Sequence, residues 1–558
     1  HACLASHSHL GFHSDSNDWA VRLESFLLDG MHELENAKLN PKVSGAEGRV
    51  YLHLTALADL DGTELFALLE AFTREFVARH GALLQGLWVD EITIKVRLGS
   101  ETSGCQGVLR FSTTAGHEKY MKCTGMLEQV DPVTGMPAKW QDLTSGQQRA
   151  PEPRADLDLR ARRAAARKAG STYAPEFLGL LEAALVKEWK SAVSHGNKPS
   201  VGPKEVLKAS VLSLNVNGHM VEAVGPSPST PKLGMLAWRL LLHSPEFPEG
   251  RSVVLIANDV THQAGSFGVA EDHFFKKASE YARQRGLPRV FIACNSGARV
   301  GLVEEIMPKI RVHWKDEADP SKGFDYLYLT EADFTSFPSG AVIGKFVPGV
   351  GYALDAVVGQ GLSSISGGIG VENLQGSGLI AGETSRAYQD IFTLSYVTGR
   401  SVGIGAYLNR LGQRVIQSVD GPLVLTGYGA LNKLLGKNVY FSQDQLGGPQ
   451  IMVPNGITHQ LVQNDQEGAE AIVKWLSFVP RDTWSMPQSI AAMDPIDRLV
   501  DFRPTKQPYD PRHMLTGAAE SGKWMSGFFD KGSFVEYMAG WGRSVVVGRA
   551  RLGGIPMG

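Results

Sequence analysis

The sequence predicts an α/β fold for the chain beyond residue 232, and three observations support this prediction. Short apolar runs typical of buried strands, such as RSVVLIAND and PRVFIACN, alternate there with helix-like segments. One of these segments, GVAEDHFFKKASEYARQRG, places Phe274, Ala278, Tyr281 and Ala282 on one helical face. Ten of the 62 glycines in the chain fall within residues 361–405, a density typical of backbone that bends sharply or approaches a ligand.

Length and composition limit the classes of protein that fit. At 558 residues the chain is too long for a single core, so we expect about two to four domains. Hydrophobic residues make up 43% of the chain, charged residues 20%, and the formal net charge is −3. This balance gives no electrostatic reason to expect nucleic acid or an anionic membrane as partner. No apolar run reaches the roughly 18 residues that a membrane span requires.

The cysteines and histidines point away from disulfides and metals. The four cysteines, at positions 3, 105, 123 and 294, form neither a CxxC pair nor a zinc-ribbon spacing. Free thiols in a reducing compartment are therefore expected, which argues against secretion. Histidines at positions 1, 7, 9 and 13 lie near the terminus, where flexible polar residues are far commoner than metal ligands. We predict no metal site.

Two segments precede the α/β part. Residues 1–143 are predicted to form an α+β unit, with strands RVYLHLTAL, DEITIKVRL and GVLRFSTT, a helix ending at Gly81, and an edge-like strand around KYMKCTGMLEQV. Residues 144–232 are predicted to be a linker and helical connector. The connector carries six Arg or Lys residues between Arg154 and Lys168. An RNA-binding arm is the alternative for this run, but the absence of interleaved aromatic residues favours a solvated helix.

Two predicted strand-to-helix junctions carry the candidate site. The first is CNSGARVG, from Cys294 to Gly301, and the second is TGRSVGIG, from Thr398 to Gly405. In each, small residues turn the chain into a helix whose first N–H groups point outward unpaired. Such amides beside the fixed charge of Arg400 suit an oxyanion, so we predict chemistry on an acyl or enolate oxygen. Glycine-rich turns after strands are also common in structural roles, and the pattern alone leaves that alternative open.

The surroundings of these junctions lack other catalytic signatures. Neither turn contains a histidine or carboxylate that could act as general base, and His262, His273 and His459 qualify by residue type only. A structural role is the commoner one for such histidines. The dinucleotide fingerprint and the phosphate loop G-x-x-x-x-G-K-[ST] are absent, so we expect no ATP site in this chain. A reaction whose second substrate brings its own base would fit.

Four long blocks resemble the carboxyltransferase domain of eukaryotic, multidomain acetyl-CoA carboxylases. The blocks are residues 249–302, 376–417, 425–452 and 528–556. The resemblance is strong over about 240–558, which would be the N-terminal half of that domain. It is weaker over 49–143 and 171–177, which resemble the end of the enzyme's central, non-catalytic region. The family implies a crotonase-like fold of stacked ββα units.

The resemblance also implies an activity and a set of site residues. The family passes a carboxyl group from carboxybiotin to acetyl-CoA, which gives malonyl-CoA for fatty acid biosynthesis. By position, Arg400 would contact the acyl-CoA near its carboxylate end, and Gly403, Gly297 and Ala298 would offer oxyanion-hole amides. Other residues expected at the acyl-CoA are Ser296, Arg299, Gly301 and Leu374, the last lining the pocket where inhibitors of the family bind. Biotin is held to remove the acetyl proton, which agrees with the missing base.

Partners and location follow from the same resemblance. We expect a biotinylated carrier domain and a second carboxyltransferase subunit in a homodimer, in the cytoplasm or a plastid. The sequence contains no ATP-grasp domain and no Glu-Ala-Met-Lys-Met-like biotin site, so biotin attachment, ATP and divalent metal would belong to parts outside it. The ends of the chain, at His1 and in the strand-like VVVGRARLGGIPMG, indicate a fragment that stops before the second crotonase-like half.

Some features depart from the family, and other functions stay open. The stretch 335–355 differs from the family in length and content, and the zinc ribbon of the bacterial split-subunit form is absent. One alternative is a propionyl- or methylcrotonyl-CoA carboxyltransferase, although the 1–230 extension argues against it. A non-catalytic acyl-CoA-binding scaffold and a crotonase-type hydratase or isomerase that works without biotin are the others.

Overall fold

Two compact units make up the chain in a computed structural model. The model describes residues 2–6, 18–39, 48–58, 60–100, 104–114, 122–130, 137–144, 146, 157–194, 205–223, 233–299, 305–357, 371–492, 494–520 and 522–558. The first unit comprises His1–Ala161 and Pro175–Ser191, and the second comprises Arg162–Ala174 and Ala192–Gly558. The three-segment division drawn from the sequence remains a prediction.

The first unit is built on a six-stranded sheet of order β1-β2-β3-β4-β5-β6. Its elements, with the two helices that follow along the chain, are β1 (Ala2–Ser6), α1 (Asp18–Lys38), β2 (Gly48–Ala58), α2 (Gly62–Gly86), β3 (Val89–Ser100), β4 (Gly104–Thr114), β5 (Lys122–Val130), β6 (Pro137–Asp142), α3 (Leu157–Lys168) and α4 (Phe177–Ser194). The first three strands are parallel and the last three pairings antiparallel. Alternate strand residues such as Ile94 and Phe111 pack with helix residues such as Leu27, Leu69 and Phe76 in one core.

One local prediction for this unit is met in part and another is wrong. Helix α2 is interrupted at His80, beside the predicted end at Gly81, where φ is −118° and ψ is 15°, and a further helical segment continues to Gly86. The glycine therefore follows a break between two helical segments. Residues 122–130 of the KYMKCTGMLEQV segment form β5, which is an interior strand and not an edge, because β6 pairs with its outer side.

The second unit is built on an eight-stranded sheet of order β20-β18-β16-β11-β10-β9-β7-β8. Its strands and helices are β7 (Leu207–Leu214), β8 (Met220–Ala223), β9 (Met235–Leu242), β10 (Arg251–Asn258), α5 (Val269–Gln284), β11 (Arg289–Ala293), β12 (Arg311–Trp314), β13 (Phe324–Leu329), α6 (Glu331–Ser336), β14 (Val342–Val347), β15 (Gly351–Val357), α7 (Val371–Asp390), β16 (Thr393–Val397), β17 (Ser401–Val402), α8 (Ile404–Leu411), β18 (Arg414–Ser418), β19 (Leu423–Val424), α9 (Tyr428–Leu435), α10 (Asp444–Gly447), α11 (Pro449–Met452), β20 (Gln460–Val462), α12 (Asp465–Ser477), α13 (Arg512–Thr516), β21 (Ala518–Glu520), β22 (Lys523–Met525), β23 (Val535–Glu536), β24 (Gly548–Leu552) and β25 (Ile555–Met557). Strands β10, β11, β16, β18 and β20 are parallel, and β9, β7 and β8 continue the sheet in antiparallel fashion.

The helix face predicted for α5 is confirmed. Phe274, Ala278, Tyr281 and Ala282 are all buried, in a core shared with residues of the central strands and of α7. The central parallel strands β10, β11 and β16 are buried on both faces, as the apolar runs in the sequence indicated. Because these three strands are parallel neighbours, their carboxyl ends lie together at one edge of the sheet.

A second, smaller sheet is formed within residues 311–357, which include the stretch 335–355 that departs from the family pattern. Strands β12, β13, β15 and β14 pair in that order, all antiparallel. They have a core of their own around Ile306, Leu329, Ala341 and Val342. No helix in the described part of the chain is long and apolar enough to cross a membrane.

Candidate active site

The two predicted junctions lie side by side. Strands β11 and β16 are parallel neighbours, with Ala293 opposite Val397, so both chains leave the sheet at the same edge. Just beyond it, the Asn295 N–H donates to the carbonyl of Arg400 over 2.8 Å. A Cβ built on Gly297 would lie 2.9 Å from the carbonyl oxygen of Val402. The structure thus brings together two turns that are about one hundred residues apart in sequence.

Glycine is required where the turns touch. Gly297 has φ +80° and Gly403 has φ +54°, conformations that residues with a side chain adopt only under strain. At Gly297 the neighbouring backbone also leaves no room for a side chain. At Gly403, which precedes α8, the nearest atoms to a built Cβ are 3.8 Å away or more, so only the backbone conformation demands glycine there.

Two of the amides predicted to face an oxyanion are already bonded within the protein. The Gly297 N–H donates to Asn295 Oδ1 over 3.2 Å, and the Gly403 N–H donates to the Val424 carbonyl over 2.9 Å. These bonds argue against the oxyanion contacts predicted for Gly297 and Gly403. The N–H groups of Ala298 and Ile404, each the next along its turn, have no acceptor among the described residues. The arrangement therefore leaves these two amides, one in each turn, without an internal acceptor.

Arg400 remains available as a cation. Its side chain is half-buried, and its guanidinium forms no hydrogen bond or ion pair with a residue in the described ranges. The backbone of Arg400 is fixed by its bond with Asn295, so the base of the side chain is anchored beside the turns. An anchored guanidinium without an internal partner can pair with an anionic ligand.

Arg299, in contrast, is held within the protein. Its Nε donates to Ser266 Oγ over 3.1 Å, and its Nη2 lies 3.0 Å from Glu271 Oε1. Glu271 is fully buried and also accepts the N–H groups of Gly234 and Gly268, each over 3.0 Å. A buried carboxylate needs such a counter-charge, which argues against the acyl-CoA contact predicted for Arg299.

Of the predicted site residues Ser296, Gly301 and Leu374, the structure describes the side chain of Ser296 alone. Ser296 is half-buried in the first turn, and its hydroxyl forms no hydrogen bond with a residue that the structure describes. Gly301 lies outside the described residues, as do residues 361–370 of the glycine-rich run. Leu374 lies in the first turn of α7, but its side chain is outside the described part.

His459, one of the candidate bases, has a structural role. It is buried, and its Nδ1 accepts the N–H of Val415 over 3.1 Å. Burial lowers the pKa of its imidazole to about 4, and the positive charges of Arg414 and Arg410 add to this effect. The neutral ring therefore acts as an acceptor for a strand amide, away from the two turns.

Comparison with known proteins identifies the family. Residues 245–558, more than half of the chain, match the family model described as "Carboxyl transferase domain". The chain belongs to the carboxyl transferase family. This membership confirms the α/β, crotonase-like carboxyltransferase fold predicted for the C-terminal part.

Named relatives are acetyl-CoA carboxylases of yeast. The chain is 46% identical over 413 residues to "Acetyl-CoA carboxylase, mitochondrial" of Saccharomyces cerevisiae strain S288c and 45% identical to that of strain RM11-1a. Each alignment covers 72% of this chain and 18% of the relative, so the chain spans less than a fifth of the length of these proteins. Two solved structures of transcarboxylase 12S, one with methylmalonyl-coenzyme A and methylmalonic acid bound, align over 72% of this chain and 61% of theirs, at 17% and 16% identity and a TM-score of 0.41.

Sequence reasoning missed the residue that joins the two turns of this carboxyltransferase. Asn295 is fully buried, and its side-chain amide contacts both turns and the end of β10. Its Oδ1 accepts the N–H groups of Gly297 and Val402, over 3.2 and 3.1 Å. The signal was present as an asparagine between a buried strand and a glycine turn, where Asn often bonds nearby backbone, but its second partner is distant in sequence.

A second, partly buried network joins residues 171–172, within the predicted connector, to the rest of the second unit. Asp465, at the start of α12, accepts hydrogen bonds from the hydroxyls of Tyr396 and Thr398. Its other oxygen accepts the N–H and hydroxyl of Thr172, over 3.1 and 2.6 Å. Ser171 lies within hydrogen-bond distance of Thr398, 3.2 Å between the hydroxyl oxygens. Residues 171–172 are therefore a structural part of this unit and not a free linker.

Proposed function

We propose that this chain is the carboxyltransferase part of an acetyl-CoA carboxylase, which transfers a carboxyl group from carboxybiotin to acetyl-CoA and forms malonyl-CoA for fatty acid biosynthesis. The observation that carries the proposal is the pair of adjacent turns with free amides beside the unpartnered Arg400. The 46% identity to yeast acetyl-CoA carboxylase over 413 residues supports the choice of reaction.

The geometry suggests how the chain's own residues serve this reaction. The free N–H groups of Ala298 and Ile404 would hold the thioester oxygen while negative charge develops on it; one such donor is worth about 3 kcal/mol of barrier in acyl-transfer enzymes. Arg400 would pair with the carboxylate of malonyl-CoA or with the carboxyl group in transit. Carboxybiotin, when bound, supplies the carboxyl group. Neither turn offers a side-chain base, so we do not assign proton removal to a residue of this chain.

The proposal also covers the domain division, the acyl-CoA site and the partners of the chain. Residues 1–143 would be the end of the central region, 144–232 a connector, and 233–558 the first half of the carboxyltransferase. Ser296, Gly301 and Leu374 would line the acyl-CoA site. Partners would be a biotinylated carrier domain and a second carboxyltransferase subunit, in the cytoplasm or a plastid, whereas ATP and its metal would act on a separate biotin carboxylase domain.

An exposed apolar surface supports a second subunit as partner. Leu434 is 82% exposed and Phe441 74% exposed, and Leu435 and Val439 are also exposed; we call these four residues the α9 surface. The surface is rigid, because the side chain of Asn432 binds the backbone of residues 439 and 440 and folds this loop back on α9. Apolar residues held exposed in this way are typical of a protein interface.

Binding and turnover experiments test the proposal. In the binding experiment, the 558-residue chain is titrated with acetyl-CoA, malonyl-CoA, propionyl-CoA and free CoA. In the turnover experiment, the formation of acetyl-CoA from malonyl-CoA and biocytin is followed with and without the remaining carboxyltransferase half of a relative. We expect the thioesters to bind better than CoA and turnover to require biocytin and the added half. Failure of every thioester to bind, or turnover independent of biocytin, would refute the proposal. A preference for propionyl-CoA would favour the propionyl-CoA enzyme, and binding without transfer would favour a scaffold.

A further inference from the structure

The ends of three strands meet at one buried side chain. Asn295 follows β11, and its Nδ2 donates to Asn258 Oδ1 at the end of β10 over 3.2 Å and to Ser401 Oγ after β16 over 3.0 Å. All three residues are buried, Asn295 and Ser401 completely. Gly405, in the first turn of α8, packs so closely on the Asn295 amide that a Cβ there would collide with it.

The orientation of this amide is fixed by its partners. Its oxygen must accept from two backbone N–H groups, those of Gly297 and Val402, and these cannot accept in return. The nitrogen therefore points to the two side-chain oxygens of Asn258 and Ser401. A single oxygen thus joins one peptide of the first turn to one peptide of the second.

We propose that Asn295 is a positioning residue that sets the distance between the amides of Ala298 and Ile404. Ala298 follows Gly297, and Ile404 lies two residues after Val402, so the peptides held by Asn295 are close neighbours of the peptides that would hold the ligand. Two donors act on one oxygen only when their separation is fixed, since misplacement weakens each bond. The proposal rests on the proposed function, because it takes the shared ligand to be a thioester oxygen.

Two substitutions distinguish a role of Asn295 in the spacing of the two turns from a general contribution to stability. Asn295→Ala removes the oxygen that joins the turns. Asn295→Asp keeps that acceptor, and the second oxygen of the new carboxylate can accept a hydrogen bond from the Ser401 hydroxyl. It can also accept from Asn258 if the side-chain amide of Asn258 flips, because Asn258 Nδ2 has no hydrogen-bond partner among the described residues. A matched control is Thr393→Val at the opposite end of β16, where a buried hydroxyl oxygen accepts the N–H of Gln413 over 2.9 Å.

The first measurement is amide hydrogen exchange of the 558-residue chain, read in peptides spanning 294–299 and 400–405. We expect Asn295→Ala to accelerate exchange in both peptides by about tenfold, Asn295→Asp to restore slow exchange, and Thr393→Val to leave both unchanged. If Asn295→Ala does not fold, Asn258→Ala takes its place, because that variant removes only the acceptor of Asn295 Nδ2. We then expect a smaller acceleration of exchange in both peptides. Acceleration in only one peptide, or in neither, would overturn the proposal.

The second measurement is the infrared stretch of the carbonyl in bound acetyl-CoA labelled with ¹³C at that carbon. Two well-placed donors lower this frequency, so the wild-type chain should shift it and Asn295→Ala should lose at least half of the shift at saturation, with Thr393→Val equal to wild type. An unaltered shift in Asn295→Ala would overturn the positioning role. Absence of any shift in the wild-type chain would refute the thioester role in the proposed function instead, and the exchange data would then decide whether Asn295 fixes the two turns.

Discussion

Thr172 and Asp465, 293 residues apart in sequence, are joined by two hydrogen bonds, from the N–H and the hydroxyl of Thr172 to one carboxylate oxygen. The other carboxylate oxygen accepts from Tyr396 and Thr398 on the neighbouring strand end. The segment that the sequence assigned to a connector is therefore bound to the strand that leads into the Arg400 turn.

This network should contribute measurably to stability. Asp465→Asn replaces an oxygen that accepts two hydrogen bonds by an NH₂ group facing donors, and a buried polar group left unsatisfied costs about 1–3 kcal/mol. We expect urea unfolding to show a loss of this size. The control is Glu467→Gln in the same first turn of α12, which is exposed and removes the same charge; a change of about 0.5 kcal/mol or less is expected there. Equal losses in both variants would contradict the assignment.

The two positive-φ glycines of the site should respond differently to alanine. At Gly403 a methyl group has room, so only backbone strain of about 2 kcal/mol is expected. At Gly297 the same strain adds to a contact with the Val402 carbonyl, 2.9 Å from the new carbon, which must move the second turn. Gly297→Ala should therefore lose more free energy of unfolding and most of its acetyl-CoA affinity, measured by urea unfolding and calorimetric titration. The reverse order of the two variants would show that the turns are not coupled as the structure indicates.

The sequence predicted the local parts of this site better than their partners. The strand ends at Ala293 and Val397 and the turns after them follow from apolar runs that stop at small residues, which is local information. The sequence could not show that β11 and β16 are neighbours, because a whole antiparallel sheet and α7 lie between them in the chain. The shared pattern of the two turns and the resemblance to a family placed them in one candidate site, but neither showed which strands pair.

The same limit explains why the sequence did not show the internal partners of Gly403 and Arg299. Gly403 looked like a free amide because its acceptor, Val424, lies on a later strand that pairs with the turn. Arg299 looked like a ligand cation because the buried charge that it neutralises, Glu271, comes from a helix earlier in the chain. In both cases a polar group in a promising motif was already satisfied by a distant partner, which pattern and spacing do not reveal.

Removal of the Arg400 charge should weaken the binding of malonyl-CoA, which carries a free carboxylate, more than that of acetyl-CoA, which does not. A charge-assisted hydrogen bond to a carboxylate is worth about 1.5–3 kcal/mol, so Arg400→Ala should weaken malonyl-CoA binding about ten- to hundredfold and acetyl-CoA binding much less. Calorimetric titration of both ligands measures this selectivity. The control is Arg410→Ala, which removes the same charge from an exposed position at the other end of α8. An equal loss for both ligands would place Arg400 away from the carboxylate.

A buried carboxyl group should make stability depend on pH. Asp272 is 2% exposed and neither oxygen has a hydrogen-bond partner among the described residues. Burial raises its pKa from 3.8 to about 8, with a further rise from Glu271 that Arg299 opposes. Because the folded state then binds this proton more tightly than the unfolded chain, the free energy of unfolding falls as pH rises from about 4 to about 8.

Asp272→Asn should remove this dependence, since the amide stays neutral. Its free energy of unfolding, measured in urea, should exceed that of the wild type by more at pH 8 than at pH 5. Asp316→Asn is the control, because hydrogen bonds from Lys322 and the Ala318 N–H hold the pKa of exposed Asp316 below its usual range, so it titrates below pH 5. A difference between Asp272→Asn and wild type that is the same at both pH values would refute the assignment.

The α9 surface should drive association of the chain with itself. Leu434 and Phe441 are both more than 70% exposed on a rigid segment, and burial of such side chains in an interface releases roughly 1.5–3 kcal/mol each. Leu434→Asp and Phe441→Asp should therefore shift sedimentation toward the monomer and raise solubility. Val216→Asp is the control, because Val216 is fully exposed but lies alone in the turn between β7 and β8. If the Val216 variant reduced association as much as the other two, self-association would reflect general charge repulsion and not contact through α9.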